Sequence, residues 1–254
     1  MSKRPRGDAG DDRPAQAGAA GAKLQIARDI WLILKQDRTA LIGFFVILGL
    51  ILVAVFAPLL APYDFSDQHI LHAFEGPGKT FRLGTDEFGR DLLSRIIWGA
   101  RPALIVGVFS VLLAVLIGVP IGLMAGYKLG WLDRITGWLV DIMLSFPSLL
   151  LGLMIVTLLG PGVYKVVIAI GISHIPQYIR LARGPTMACR NLDFVSASKG
   201  LGAGDLRIAF SHILPNIVGP IIIMGTLSIA GAIRMEASLS FLGLGVQPPT
   251  ASWG

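Results

Sequence analysis

Between residues 103 and 125 the chain carries no charged side chain at all, and a run of about 20 apolar residues is what an α-helix needs to cross the hydrocarbon core of a bilayer. In lipid every backbone N–H and C=O has to find a partner within its own segment, so such a run folds as a helix. Comparable runs occupy 39–60, 102–127, 135–159, 163–181 and 217–233. The expectation is an all-α integral membrane protein with five predicted transmembrane helices. Composition agrees: the mean hydropathy is +0.69, and charged residues make up 15% of the chain against roughly 25% in soluble domains. The fourth run is interrupted by Lys165 and His174 and is the weakest by hydropathy. On the second, Gly118, Gly122 and Gly126 recur at small-residue spacing and predict close helix packing.

Residues 1–38 precede the first run and are too long for the charged head of a secretory signal, so that run is read as an uncleaved anchor. Residues 1–21, rich in Gly, Ala, Pro and charge, are expected to be disordered; residues 23–37 are amphipathic and are expected to lie along the membrane surface. Basic residues concentrate in this leader (Lys3, Arg4, Arg6, Arg13), after the second run (Lys128, Arg134) and around 180–207 (Arg180, Arg183, Arg190, Lys199, Arg207). By the positive-inside rule those segments are cytoplasmic. Lys79, Arg82, Arg90, Arg95 and Arg101 fall in one long loop on the opposite side. The net charge of +6 follows from this topology and lacks the aromatic interleaving of a nucleic-acid surface. The single Cys189 excludes an internal disulfide.

One polar stretch does not belong to a span. The sequence FVSASKGLGAGDLRIAFSHILPN at 194–216 is long, basic and patterned, and it reads as two short helices with a glycine corner. Gly200, Gly202 and Gly204 break the first helix. Asp205 is placed to cap a second helix carrying Leu206, Phe210 and Ile213 on one face, with Pro215 expected to stop it.

Several apparent motifs are weaker. AFEGPGKT at 73–80 fits a phosphate-binding loop only if its first glycine is relaxed to Ala73, and it has neither the preceding strand nor the following helix that such a loop requires. Lys79 is better read as a solvated loop residue. His69 and His72, near Asp64, Asp67 and Glu75, have no diagnostic metal-ligand spacing. His174 and His212 lack a neighbouring nucleophile and are read as structural. Asp141, Arg234 and Glu236 lie in or at the end of spans and are candidates for a solute pathway, because ionisable groups at membrane depth face protein or water. For Asp141 a near-interface position is an equal reading, and Arg234 can snorkel outward.

The hairpin at 195–216 resembles the cytoplasmic EAA loop of binding-protein-dependent ABC importer permeases, with the matching glycine at Gly202 and the ending Ile213, Leu214, Pro215. LGTDEFGRDLLSRIIWGAR at 83–101, DIMLSFPSLLL at 141–151 and EASLSFLGLGVQPPTASWG at 236–254 narrow the resemblance to the dipeptide, oligopeptide and nickel branch. It implies a type I importer permease fold across 39–254 with its ATPase-coupling loop at about 182–216. It also implies a bacterial cytoplasmic membrane location, a second permease subunit, two ATP-binding cassette ATPases that use ATP and Mg, and an extracytoplasmic substrate-binding protein. This chain would then bind no cofactor and catalyse nothing. The coupling residues it implies are Val195, Ser196, Ala197, Ser198, Gly202, Ala203, Asp205, Leu206 and Phe210. Two departures stand out: Ser196, Ala197 and Ser198 replace the usual Glu-Ala-Ala, and a sixth span expected of the family is absent, so that a truncated form is one expectation. An ion-coupled secondary transporter using Asp141, or a non-transporting assembly subunit, are the alternative classes.

Overall fold

The computed structural model describes residues 37–253; the expected disordered leader and surface helix at 1–36 lie outside them. The chain divides into two compact units between Leu50 and Ile51. Among the described residues the secondary structure is helical apart from one isolated bridge between Thr85 and Asp91. Helix α1 (Arg38–Val55) begins at Asp37, whose Oδ1 accepts the amides of Thr39 at 2.8 Å and Ala40 at 3.3 Å. That carboxylate satisfies donors which the first helical turn leaves without intrahelical partners. Past the end of α1 comes the short α2 (Ala57–Leu60). Arg101 donates to the carbonyls of Ala54 at 2.6 Å and Val55 at 3.0 Å, satisfying acceptors at that helix end.

The second span starts earlier than hydropathy indicates. Helix α3 (Leu92–Lys128) begins ten residues before Pro102, because Asp91 caps it: its carboxylate accepts from the Ser94 amide at 2.8 Å and hydroxyl at 2.6 Å. Pro102 and Pro120 lie inside this helix, as membrane helices tolerate. At about 1.5 Å per residue, α3 is roughly 55 Å long and extends well beyond a hydrocarbon core of about 30 Å. Leu129 (φ 55°) and Gly130 (φ 68°) turn the chain after it.

The run expected as the third span is two helices, α4 (Gly130–Leu144) and α5 (Ser148–Leu159), bent by 91° to one another. Pro147 accounts for the break, since the residue before a proline is pushed out of the helical region. Helix α6 (Val163–Cys189) continues eight residues past the expected end at Leu181. By length and composition three described helices are able to cross a membrane, or four with the bent pair, and α6 is not among them. Its polarity is tolerated because its neighbours enclose it: Val166, Ile170, Tyr178 and Ala182 are fully buried. Within it, Ser173 Oγ donates to the Ile170 carbonyl at 2.7 Å, and His174 Nδ1 lies 2.8 Å from the same oxygen. Helix α7 (Asp193–Gly200) and the long α8 (Asp205–Phe241) complete the bundle.

The closest packing is between α3 and α6. A Cβ placed on Gly118 would lie 2.8 Å from the Ile175 carbonyl oxygen, and one on Gly126 would lie 2.6 Å from that of Arg183. On Gly122 it would run into the backbone of Ile179. From the facing helix, Gly171 would meet Leu113 at 2.5 Å. The spacing 118, 122, 126 therefore does what small residues do between membrane helices, letting two backbones touch.

At the α3 amino-terminal end, loop 61–91 is built around Asp86. Its carboxylate accepts from the Phe88 amide at 2.9 Å, the Arg90 amide at 3.0 Å and Arg90 Nε at 2.7 Å. The AFEGPGKT segment lies in turns of this loop with Lys79 exposed, and His72 pairs with Glu75 at 2.6 Å.

Candidate functional site

The hairpin forms at the other end of α3. Helix α7 closes with hydrogen bonds from the amides of Leu201 to Ala197 at 3.0 Å, Gly202 to Lys199 at 2.9 Å and Ala203 to Ser198 at 3.0 Å. Gly202 takes φ +82°, the left-handed conformation that glycine reaches without steric cost. Among the three glycines read as a corner, only Gly202 needs that freedom: Gly200 is still helical, and Gly204 is extended at φ −71°. The cap of the next helix is Gly204 rather than Asp205, which occupies the first turn and makes no capping hydrogen bond. A carboxylate there remains favourable beside the amino-terminal dipole.

The second arm differs more from expectation. Residues Ile208–Ile213 form a π-helical turn, and the helix continues through Pro215 to Phe241 instead of stopping. A π turn widens the helix, which separates the residues expected on one face. Ile208, Ala209 and Ile213 are fully buried, whereas Leu206 is 65% and Phe210 39% exposed. Leu201 at the tip is 89% exposed. In the first arm Val195 is buried, Ser196 and Ala197 are exposed, and Ser198 is half-buried with its hydroxyl donating to the Phe194 carbonyl at 2.8 Å. Ala203 packs on the edge of the core. The buried residues anchor the hairpin to the bundle. Leu201, Leu206 and Phe210 are left pointing away from it.

Asp205 ties the second arm to the end of α3: Tyr127 Oη donates to it at 3.2 Å, and Lys128 Nζ lies 3.7 Å away. Lys199 Nζ sits 5.7 Å from the centre of the Tyr127 ring. Between these groups and the end of α6 opens a polar pocket of about 380 Å³, also lined by Arg190 and Ser196. The sequence explains Lys128, Arg190 and Lys199 by topology alone and gives no sign that folding gathers them. Tyr127 ends an apolar run, and its position beside Lys128 is the one signal in the chain that points to it.

The three pathway candidates have separate surroundings. Asp141 is exposed and pairs with Arg180 at 2.9 Å, and Asp133 makes a second, two-bonded contact with Arg183, so α4 is clamped to α6 by two ion pairs. Arg234 is exposed. Glu236 is fully buried; its Oε1 accepts from the hydroxyls of Ser240 at 2.7 Å and Ser252 at 2.8 Å. The neighbouring Trp253 donates from Nε1 to the Ile96 carbonyl at 2.9 Å and covers Gly99. Glu236 thereby fastens segment 242–253 across the end of α8, and Trp253 fastens it onto α3.

Comparison with known proteins gives a consistent family. Residues 118–254 match the family described as binding-protein-dependent transport system inner membrane component, and residues 26–77 match the N-terminal TM domain of oligopeptide transport permease C. The chain is 46% identical over 233 residues to the di/tripeptide transport system permease protein DppC of Pseudomonas aeruginosa, covering 89% of this chain and 77% of that one. It is 42% identical over 231 residues to the glutathione transport system permease protein GsiD of Pectobacterium atrosepticum, covering 89% and 76%. To the oligopeptide transport system permease protein OppC of Bacillus subtilis it is 38% identical over 247 residues, covering 95% and 81%.

Proposed function

The chain belongs to the family of binding-protein-dependent transport system inner membrane components, and from that premise we propose that it is the permease subunit through which an ABC importer moves di- or oligopeptides into a bacterial cell. It is a multi-pass inner-membrane protein that works with other transporter subunits. In this reading they are a second permease subunit, two ATPases that bind ATP and Mg, and an extracytoplasmic binding protein that delivers the peptide. The permease itself binds no cofactor. Its amino terminus and hairpin face the cytoplasm, and loop 61–91 faces outward, as the distribution of basic residues indicates.

The observation that carries the proposal is the hairpin. It is fixed to the bundle through Val195, Ile208, Ala209 and Ile213, yet presents Leu201, Leu206 and Phe210 to solvent. An apolar helical surface outside the membrane fits a groove on a partner protein, and here that partner is the ATPase. Because α8 runs without interruption from Asp205 to Phe241, a push on the hairpin is transmitted along about 55 Å of helix. Closure of the ATPases would rock this helix and alternate the access of the pathway. Val195, Ser196, Ala197, Ser198, Gly202, Ala203 and Asp205 shape the handle. Asp141, Arg234 and Glu236 are the candidates for the solute pathway. The branch of relatives favours peptides as the substrate.

The test is uptake of a labelled dipeptide into vesicles holding the assembled transporter and its binding protein. Uptake is expected with internal ATP and no ion gradient. Uptake driven by a proton or sodium gradient without ATP would overturn the importer reading in favour of a secondary transporter.

A further inference from the structure

The polar pocket beneath the hairpin holds more positive charge than the chain neutralises. Of its three cations, Lys128 faces Asp205, and that carboxylate is also engaged by Tyr127 Oη. Arg190 and Lys199 have no carboxylate partner among the described residues, and Arg190 Nη1 is buried from solvent with no hydrogen-bond partner among them either. Lys199 is held against the face of Tyr127. Both Arg190 and Lys199 line the pocket of about 380 Å³, which leaves room for an anion to pair with their charges.

We infer that this pocket receives a carboxylate side chain from the ATPase subunit. The inference rests on the reading of the hairpin as the ATPase contact. Four features favour a protein carboxylate. The pocket is walled by the hairpin's own residues, Ser196, Lys199 and Asp205, so a partner seated on Leu201, Leu206 and Phe210 reaches it from the same side. The one carboxylate lining the pocket, Asp205, is already engaged by Lys128 and Tyr127. Arg190 presents a planar donor fork suited to two-point recognition of a carboxylate. Charge across such an interface also fixes the register of the docked partner. The apolar contacts then supply affinity, and the Arg190–Lys199 pair selects which acidic side chain enters and how the ATPase is turned on the hairpin.

The experiment measures binding of the ATPase subunits to the permease complex in nanodiscs over a range of salt concentrations, for the parent, Arg190→Gln, Lys199→Gln, Arg190→Lys, Ser196→Glu and Leu206→Asp. Arg190→Gln and Lys199→Gln are expected to raise Kd about thirtyfold at low salt, the lower end of the range for truncating one partner of an interfacial charge pair, and to flatten its salt dependence. Arg190→Lys should keep the salt dependence. Ser196→Glu, by supplying the carboxylate from within, should flatten it. Parent-like affinity and slope in both glutamine variants overturn the inference, and a weaker Kd with an unchanged slope does so too. If Leu206→Asp weakens binding in either case, the hairpin reading stands on its own; if it does not, that reading fails as well. Repeating the series in discs of neutral lipid alone separates the other anion source. Retention of the salt dependence supports a protein carboxylate, and its loss assigns the pocket to an anionic lipid headgroup and overturns the inference.

Discussion

Gly122 and Gly202 stand at two places that disfavour a side chain, and the reasons are opposite. At Gly122 the backbone is ordinary helix and the obstacle is the backbone of Ile179 on the facing helix. At Gly202 nothing lies within 4 Å of where a Cβ would sit, and the constraint is φ +82° alone. The first glycine serves packing, in a seam closed on both sides. The second serves chain direction, at a tip kept open. A transporter needs both kinds of region: helices that move as a body, and a handle whose surface is complete only when a partner covers it.

The largest effect is expected where the obstacle is backbone. Gly122→Val forces α3 away from α6, and neither helix can yield locally, so the cost should exceed the roughly 1–3 kcal/mol of ordinary overpacking. Gly137 on α4 provides the contrast, since a Cβ there meets nothing within 4 Å, and Gly137→Ala should be neutral or favourable by up to about 1 kcal/mol. Thermal stability of the two purified variants in detergent checks this. A Gly122→Val protein as stable as the parent would break the distinction between the regions.

At the tip the same substitution should act differently. Gly202→Val places a β-branched residue at positive φ, a strain of roughly 1–3 kcal/mol, but the strain is local to the turn. The bundle is expected to insert and purify normally, while substrate-stimulated ATP hydrolysis and uptake are lost. Gly202→Asn should retain most activity, because asparagine tolerates this conformation. Leu206→Ala should be milder than Gly202→Val: the lost contact is on the order of 1–3 kcal/mol if the partner buries the side chain fully, and affinity for the ATPase should fall before the maximal rate does. Equal transport by Gly202→Val and parent would remove the hairpin from the coupling path.

The two regions are unequally legible in the sequence. The run at 103–125 and the spacing of Gly118, Gly122 and Gly126 are periodic signals, and the seam they predict is present. Helix α6 is faint by hydropathy because enclosure by its neighbours lets Ser173 and His174 bond to their own helix. The break at Pro147 is written in the chain, but an apolar run on both sides conceals it. The π turn at Ile208–Ile213 has no sequence signature, yet it turns Ile213 inward and keeps Pro215 inside the helix. The polar pocket is the hardest of all to read, since Lys128, Arg190 and Lys199 come from three separate segments and meet only when α3 and α6 end side by side.

Loop 61–91 combines the two constraints, and its expected response is the smallest. Gly84 and Gly89 both have positive φ, at 81° and 72°, and both are pressed against backbone, that of Glu75 and of His69. Asp86 holds this arrangement. Burial opposes its ionisation, but hydrogen bonds from the Arg90 amide and guanidinium and from the Phe88 amide outweigh that, aided by the charge of Arg90, and keep its carboxyl below the ordinary value of 3.8. A carboxyl whose pKa is lowered by folding contributes stability above its unfolded pKa and loses it as pH falls through the folded value. The loop should therefore resist pepsin at pH 5 and open progressively as the pH drops below about 3.8. Asp86→Asn keeps a short acceptor but removes the charge, so its cleavage should be faster at pH 5 and nearly level below that. A residual slope is expected from Asp64, whose carboxyl is also lowered, by the Ser66 hydroxyl and amide. If the parent and Asp86→Asn loops open along the same pH curve, the glycine turns hold the loop unaided, and its rigidity is of the packed kind seen at Gly122 rather than one maintained by charge.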